Sequence, residues 1–216
     1  MVQAVIFDMD GVLTDSEPVI NEAAIRGLRE YGISPSPADF VPFVGMGEDR
    51  YIGGVAEQYG LGYRVEMKRR VYEIYLEILP ELLRGFPGVH ELIGDLRARR
   101  VALAVASSAD RVKVEANLRG IEVALSWFGA VVTGEDVGAR KPAPDIFLAA
   151  ARGLGIDPGD CCVVEDAVSG VAAAKAAGMR CVAVATSFPE SRLREAGADM
   201  TRPALAEVTL ADLGIV

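Results

Sequence analysis

Two aspartates near the start of the chain are the first residues whose spacing suggests chemistry. Asp8 and Asp10 follow the apolar segment "VQAVIF" and are followed at once by Gly11. Neighbouring carboxylates repel each other unless a cation offsets their charge. One of them can attack phosphorus as a nucleophile, while the other gives a proton to the leaving oxygen and later takes one from water. The pair predicts phosphoryl-transfer chemistry, although this segment alone is also typical of a turn.

Three more polar segments follow apolar segments further along the chain. They are "ASSAD" with Ser107 and Ser108, "ARKPAPD" with Lys141, and "VVEDAVSG" with Glu165 and Asp166. Each by itself is typical of a helix cap or a surface loop. Because all of them follow predicted strands, we expect their side chains to meet the two aspartates at one edge of a sheet.

The combined set of side chains suits a phosphate ester bound beside a divalent cation. Several carboxylates in one place need a hard cation among them, and oxygen ligands select Mg²⁺. A lysine ammonium, a serine hydroxyl and the free amides at a helix start can bind phosphoryl oxygens. We therefore expect Mg²⁺ as the cofactor and a small phosphorylated metabolite as the substrate.

Five apolar segments are predicted to form the sheet that positions these residues. They cover residues 2–7, 101–106, 130–133, 161–164 and 181–185. Each is apolar throughout, which is typical of parallel strands covered by helices on both faces. Helical patterns lie between them, in residues 89–99, 110–118, 144–154 and 167–178. This alternation predicts an α/β fold with a doubly wound parallel sheet.

One long segment interrupts the alternation of strands and helices. Residues 16–84 contain only helical patterns, in residues 18–31, 48–59 and 64–79. The interruption predicts a core made of residues 1–15 and 85–216, with residues 16–84 inserted as an all-helical cap. Closure of such a cap would exclude water from the site. The alternative is that these helices pack on the sheet without acting as a lid.

The composition restricts the partners and the compartment. The 216 residues carry a formal net charge of -9, which disfavours nucleic acid and anionic membranes as partners. No apolar segment approaches the ~20 residues of a membrane-spanning helix, and the start of the chain does not resemble a signal peptide. Cys161, Cys162 and Cys181 lie in apolar segments and are predicted to be reduced core thiols. We expect a soluble monomer, not inserted into a membrane, in a reducing compartment.

Four segments together carry a family resemblance. "FDMDGVLTDSEP", "ASSAD", "KPAPDIF" and "VVEDAVSGVAAAKAAGM" resemble, in this order, the motifs of the haloacid dehalogenase superfamily, in its branch of β-phosphoglucomutase-like phosphatases. The resemblance covers essentially the whole chain. It implies a Rossmann-like core with a helical cap inserted after the first motif, and hydrolysis of a phosphate ester through an aspartyl-phosphate.

The resemblance also implies roles for single residues. Asp8 is expected to be the nucleophile and Asp10 the general acid and base, with Ser107 and Lys141 binding the phosphate. The Mg²⁺ ligands are expected to be Asp8, the backbone carbonyl of Asp10, and Asp166, with Glu165 as a further ligand or a support for one. Other expected contacts to the substrate are Met9, Gly11 and Ser108 in the core and Gly45, Glu48 and Arg50 in the cap.

The cap departs from the pattern of the mutases in this branch. Ile20 occupies the position of a mutase histidine, and Glu48 occupies the position of an arginine that binds a distal phosphate, with Arg50 nearby. These departures disfavour a sugar-phosphate mutase, which remains an alternative to the phosphatase.

A second alternative is a regulatory or binding module with little catalytic activity. The cap segment "FVPFVGMGEDRYIGGVAEQYG" is similar to a branch of plant and algal chloroplast proteins in the superfamily, in which such a domain is one part of a longer chain. This similarity implies a location in the chloroplast stroma, and the cytoplasm is expected otherwise.

Overall fold

The chain forms two compact units, which the computed structural model describes over residues 1–44 and 46–215. One unit consists of Met1–Asp15 together with Gly85–Val216, and the other of Ser16–Arg84. The first unit contains the parallel sheet, and the second is helical. Within the described part of the chain, no helix has both the length and the apolar composition that crossing a bilayer requires.

Eight strands occur in the described residues, six of them in one parallel sheet. In chain order they are β1 (Ala4–Phe7), β2 (Thr14–Asp15), β3 (Arg84–Gly85), β4 (Ala102–Ala106), β5 (Ala130–Val132), β6 (Cys161–Glu165), β7 (Arg180–Val184) and β8 (Met200–Arg202). The large sheet has the order β5-β4-β1-β6-β7-β8, and β2 pairs with β3 in a separate two-stranded sheet. The five predicted strands are confirmed to within two residues at each end.

Ten α-helices occur in the described residues, and they flank the sheet or form the second unit. They are α1 (Glu17–Arg29), α2 (Pro37–Phe40), α3 (Glu48–Gln58), α4 (Val65–Leu82), α5 (Val89–Ala98), α6 (Arg111–Gly120), α7 (Asp145–Leu154), α8 (Val168–Ala176), α9 (Glu190–Glu195) and α10 (Leu210–Leu213). The predicted doubly wound α/β fold is therefore confirmed. The short elements β2, β3, β8, α2, α9 and α10 were not predicted.

The core of the first unit lies on both faces of the central strand β1. Ala4 and Ile6 belong to a buried cluster that includes Phe147 of α7 and Val171 of α8. Successive side chains of a strand point to opposite faces, and the alternate residues of β1 are also completely buried. Burial on both faces explains why the strands read as continuous apolar segments. The three cysteines are buried and free, as predicted.

The second unit is built on the contact between its two longest helices. A Cβ at Gly27 of α1 would lie 2.8 Å from a methyl group of Val71 in α4, so a glycine here lets the two helices approach closely. Helix α4 continues through Pro80 to Leu82, three residues beyond its predicted end, and the buried Leu83 follows it. Among residues 16–44 and 46–83 the structure contains no strand, and β3 begins at Arg84.

Candidate active site

The register of the sheet places the polar ends of its central strands side by side. Phe7, the last residue of β1, pairs with Val105 in β4 and with Val164 in β6. The ladder continues one step further, because the Asp8 N–H donates to the Val164 carbonyl at 3.0 Å. In the same way, the Ser107 N–H donates to the Val132 carbonyl at 3.0 Å. Asp8, Ser107 and Glu165 are thus delivered to one edge of the sheet by three neighbouring strands.

A buried ammonium joins two of these carboxylates. Lys141 Nζ lies 2.5 Å from Asp8 Oδ1 and 2.6 Å from Glu165 Oε1, and it also donates to the Ala106 carbonyl at 3.4 Å. The side chains of Lys141, Asp8 and Glu165 are only 7%, 10% and 1% exposed. Charged groups this deeply buried need partners, and each of the three has one here. The predicted proximity of Lys141 and Asp8 is present in the structure.

The backbone that follows β6 fixes the second oxygen of Glu165. Glu165 Oε2 accepts hydrogen bonds from the N–H groups of Asp166 and Ala167, both at 2.7 Å. These two N–H groups belong to the residues that immediately precede Val168, the first residue of α8. This contact holds Glu165 in place while its other oxygen binds Lys141.

The carboxylates of Asp8, Glu165 and Asp166 form the candidate metal site. One oxygen from each lies within 4.8 Å of the others, and all three residues are buried. Burial raises the pKa of Asp8 to about 7, helped by the charge of Glu165 and opposed by Lys141. Burial, together with the charges of Glu165 and Asp8, also holds the pKa of Asp166 well above its usual range. A hard divalent cation would offset this repulsion, so the donor set fits Mg²⁺.

The charge of Lys141 is maintained although the side chain is buried. Burial would lower the pKa of Lys141, but the adjacent Asp8 and Glu165 carboxylates outweigh that effect and raise it above the ordinary lysine value. The ammonium therefore stays protonated near neutral pH and can bind an anion.

Two glycines provide the space that the carboxylates occupy. Gly11 has a φ of +83°, and a Cβ at this position would overlap the Asp166 carboxylate. A Cβ at Gly170, in the first turn of α8, would overlap the Glu165 carboxylate. Gly11 thus belongs to the wall of the candidate metal site, whereas its predicted contact with phosphate stays a prediction.

A loop after β7 contributes two hydroxyl groups that the sequence motifs did not reveal. Ser187 Oγ donates to Asp166 Oδ2, and Thr186 Oγ1 donates to the Gly11 carbonyl. The loop thereby contacts both the turn after β1 and the acidic residue after β6. The only sequence signal for this role was the position of the two residues at the end of a predicted strand.

Asp10 lies in a different environment from Asp8. Its carboxylate accepts hydrogen bonds from Lys113 Nζ at 2.8 Å and from Asn117 Nδ2 at 3.3 Å, both of α6. The Asp10 side chain is not among the clustered carboxylates of the candidate metal site, and the predicted role of its backbone carbonyl there stays a prediction. Lys113 and Asn117 were missed by sequence reasoning, although their spacing of four residues directly after "ASSAD" places them on one face of a helix.

The remaining predicted residues of the core lie in the loops after β1 and β4. The Ser107 hydroxyl is buried and accepts a hydrogen bond from the Ala109 N–H at 3.2 Å, while Ser108 is partly exposed. The Met9 side chain is completely buried, and its carbonyl accepts the Leu13 and Thr14 N–H groups within the turn. Met9 can therefore reach a ligand through its backbone alone.

The predicted cap residues belong to the helical unit. Glu48 is buried at the start of α3. Arg50 pairs with Glu57 at 2.7 Å and lies over the Phe43 ring at 5.1 Å. Gly45 lies outside the described residues. Substrate contacts by these three residues stay predictions.

Comparison with known proteins identifies relatives that match most of the chain. The family model of the haloacid dehalogenase-like hydrolases matches residues 2–178. Protein SUPPRESSOR OF QUENCHING 1, chloroplastic, from Arabidopsis thaliana is 45% identical over 216 residues, which cover 98% of this chain and 20% of that relative. A phosphorylated carbohydrates phosphatase from Thermotoga maritima is 36% identical over 208 residues, covering 91% of this chain and 92% of the relative.

The fold agrees with a solved structure of the same family. CbbY from Rhodobacter sphaeroides, in complex with phosphate, superposes with a TM-score of 0.87 at 26% identity and covers 100% of both chains. The resemblance carried by the four sequence motifs is confirmed by these matches. The chain belongs to the haloacid dehalogenase-like hydrolases.

Proposed function

We propose that this protein is a Mg²⁺-dependent phosphatase that hydrolyses the phosphate ester of a small metabolite through an aspartyl-phosphate. The observation that carries the proposal is the buried contact of Asp8 with Lys141, beside the carboxylates of Glu165 and Asp166. An aspartate that only shapes a surface loop would not need a buried ammonium such as Lys141, whose Nζ lies 2.5 Å from Asp8 Oδ1. The relatives named as phosphatases support the same reaction class.

The first half of the reaction forms the covalent intermediate. A carboxylate oxygen of Asp8 attacks phosphorus, and the bond from phosphorus to the ester oxygen breaks. Asp10 gives a proton to that oxygen as it leaves, so the alcohol departs neutral. Lys141, the Ser107 hydroxyl and the backbone amides of the turn after β1 bind the phosphoryl oxygens, where negative charge develops.

The second half releases phosphate and restores the enzyme. Asp10, now a carboxylate, takes a proton from a water molecule that attacks phosphorus, and the bond from phosphorus to Asp8 breaks. Asp8, Asp166 and Glu165 would hold the Mg²⁺, with the Asp10 carbonyl as a further ligand. When bound, the ion neutralises charge among the carboxylates and polarises the phosphoryl group.

The helical unit is proposed to act as a cap, and the substrate class follows from the relatives. A lid that excludes water would favour transfer to Asp8 over side reactions. The Thermotoga maritima relative is named for phosphorylated carbohydrates, so a sugar or polyol phosphate is the first substrate class to test. The Arabidopsis thaliana relative is chloroplastic, which supports a location in the chloroplast stroma. This chain spans 20% of the length of that relative.

Turnover of a panel of phosphorylated metabolites tests the proposal. We expect release of inorganic phosphate from at least one member in the presence of Mg²⁺, loss of activity with EDTA and its return when Mg²⁺ is restored. Asp8→Asn should abolish turnover in a folded protein, because the amide is not a nucleophile. Turnover that survives EDTA would contradict the metal role, and unchanged turnover by Asp8→Asn would contradict the nucleophile.

The same panel separates the alternatives. A hexose 1-phosphate that is converted to its isomer without release of phosphate would indicate a mutase. The presence of Ile20 and Glu48 in the helical unit supports hydrolysis instead, because neither side chain provides a cation for a second phosphate. Absence of turnover with every member would favour a binding module.

A further inference from the structure

The carboxylate of Asp10 is held by two residues of α6 that have no assigned part in the reaction. Lys113 Nζ donates to Asp10 Oδ2 at 2.8 Å, and Asn117 Nδ2 donates to Asp10 Oδ1 at 3.3 Å. Each oxygen of the carboxylate thus has its own donor. The two donors lie four residues apart on one face of the helix, so α6 holds the carboxylate at two points.

The burial of both donors indicates that the contact is a specific feature of the fold. The Lys113 side chain is 5% exposed, whereas that of Asp10 is 35% exposed. Lysine is almost never this buried unless it is paired, and an ammonium on an exposed helix face would be more easily accommodated. Asn117 is completely buried. Burial of the Lys113 ammonium and the Asn117 amide has a cost in desolvation free energy. The sequence nevertheless buries both groups at the position where they meet Asp10.

Asn117 is itself fixed by the loop that carries Asp10. Its Nδ2 lies 3.4 Å from Thr14 Oγ1, and Thr14 Oγ1 donates to the Met9 carbonyl at 3.4 Å. Met9 and Thr14 are completely buried. The amide is thereby anchored to both sides of the turn that begins at Asp8, which restricts the orientations that Asp10 can adopt.

We propose that Lys113 and Asn117 are positioning residues that fix the orientation of the Asp10 carboxyl group for proton transfer to the leaving oxygen. The inference rests on the proposed function, in which Asp10 serves the ester oxygen while Asp8 attacks phosphorus. Proton transfer requires the donor within hydrogen-bond reach in a defined geometry, and a small misplacement of a catalytic group is costly. A carboxyl group that rotates freely would be oriented correctly for only part of the time.

The inference predicts an effect that depends on the leaving group. p-Nitrophenolate leaves readily without a proton. Phenolate is more basic, and its departure depends more strongly on protonation by a general acid. Loss of the correct orientation of Asp10 should therefore slow the hydrolysis of phenyl phosphate more than that of p-nitrophenyl phosphate. The ratio of kcat/KM values for the two esters measures this dependence, because kcat/KM reports the steps through the departure of the alcohol.

The test compares Lys113→Met with the wild-type protein on both esters at saturating Mg²⁺. We expect kcat/KM for phenyl phosphate to fall at least about tenfold and that for p-nitrophenyl phosphate less than about threefold, within the 10²–10⁴-fold that general acid catalysis contributes. Lys113→Arg should restore part of the ratio, because it keeps a cation that can reach Asp10. Asn117→Ser provides a second variant with the same expected direction, in case Lys113→Met does not fold.

Two controls separate positioning from a general effect on the fold. Lys175→Met removes a lysine that pairs with Asp199 at 2.7 Å near the end of α8, and it should leave the ratio unchanged. In an Asp10→Asn background, Lys113→Met should change the ratio no further. The side chain that Lys113 positions then no longer carries a proton that it can transfer to the leaving oxygen. An equal fall for both esters, or a further change of the ratio in the Asp10→Asn background, would overturn the inference.

The outcome for the wild-type protein distinguishes this inference from the proposed function. If the wild-type protein hydrolyses the esters through Asp8 and the ratio is unaffected in folded Lys113→Met and Asn117→Ser, only the positioning role is wrong. If the wild-type protein hydrolyses neither ester nor any member of the metabolite panel, the proposed function is wrong and this inference falls with it.

Discussion

Asp8 and Asp10 are two residues apart in the chain, yet their surroundings differ in almost every respect. Asp8 is buried among two other carboxylates and one lysine. Asp10 is partly exposed and faces one lysine and one amide of α6. The environment of Asp8 contains more negative than positive charge, whereas the Asp10 carboxylate is paired with the Lys113 ammonium.

This difference fits the different tasks that we propose for these two chemically identical side chains, Asp8 as the nucleophile and Asp10 as the proton carrier. A nucleophile must be held in a fixed orientation, and its negative charge must be offset by neighbouring groups and by a cation. A proton carrier must instead face the leaving oxygen and exchange a proton with water. Strands β1, β4 and β6 build the first environment, and the face of α6 builds the second. The two carboxylates that are neighbours in the sequence therefore lie in two separate environments, each built by different elements.

The largest effect that would test this comparison is expected from Lys141→Ala. Removal of the ammonium takes away the only cation in contact with Asp8 and Glu165 among the described residues. We expect a folded protein with kcat lower by on the order of 10²-fold or more, as when a preorganised charge is removed from a developing anion. Steady-state kinetics with Mg²⁺ and any ester hydrolysed by the wild-type protein would measure the change.

Arginine and a distant lysine provide the controls for this substitution. Lys141→Arg should fail to restore the rate, because a planar guanidinium does not replace a point charge in a site this enclosed. Lys175→Met removes a half-exposed lysine from the same unit and should leave kcat unchanged. Wild-type kinetics for Lys141→Ala would mean that Lys141 is a structural residue and that the environment of Asp8 is not specialised for catalysis.

Much of this arrangement could be predicted from the sequence because it depends on strand ends. Asp8 directly follows one continuous apolar segment, and Glu165 ends another. The parallel sheet alone therefore brings the two residues together. Lys113 and Asn117 could not be assigned in that way, because their partner depends on how α6 packs and turns its buried face. The strand β8 was missed for a related reason, since "MTR" is short and lacks the apolar character of the other strands.

A second, smaller effect would show whether the environment of Asp8 depends on tight packing of its carboxylates. Gly170→Ala places a methyl group where the Glu165 carboxylate lies. We expect the free energy of unfolding to fall by about 1–3 kcal/mol, which is typical of overpacking. Urea denaturation followed by circular dichroism would measure it.

A glycine in another helix of the same unit is the matched control for that substitution. Gly94 is exposed in α5, and a Cβ there would meet no atom within 4 Å. Gly94→Ala should therefore stabilise the protein by about 0.5–1 kcal/mol through the helix preference of alanine. Stabilisation of similar size by Gly170→Ala would show that Glu165 can move freely and that its position is not fixed by packing.

The smallest effect is expected from Ser187→Ala, which would sharpen the comparison on the side of Asp8. Ser187 donates a hydrogen bond to Asp166 but does not belong to the three carboxylates of the candidate metal site. Loss of such a supporting contact typically weakens metal binding 10-fold to 100-fold, and we expect about tenfold here. Titration of the melting temperature with Mg²⁺ would measure the affinity without turnover.

The ratio of kcat/KM values for phenyl and p-nitrophenyl phosphate at saturating Mg²⁺ should stay unchanged in Ser187→Ala. Asp10 is held by α6, and in residues 1–44 and 46–215 no hydrogen bond joins it to Ser187. A shift of that ratio would show that the two carboxylate environments are coupled, whereas an unchanged Mg²⁺ midpoint would remove Ser187 from the support of the metal site.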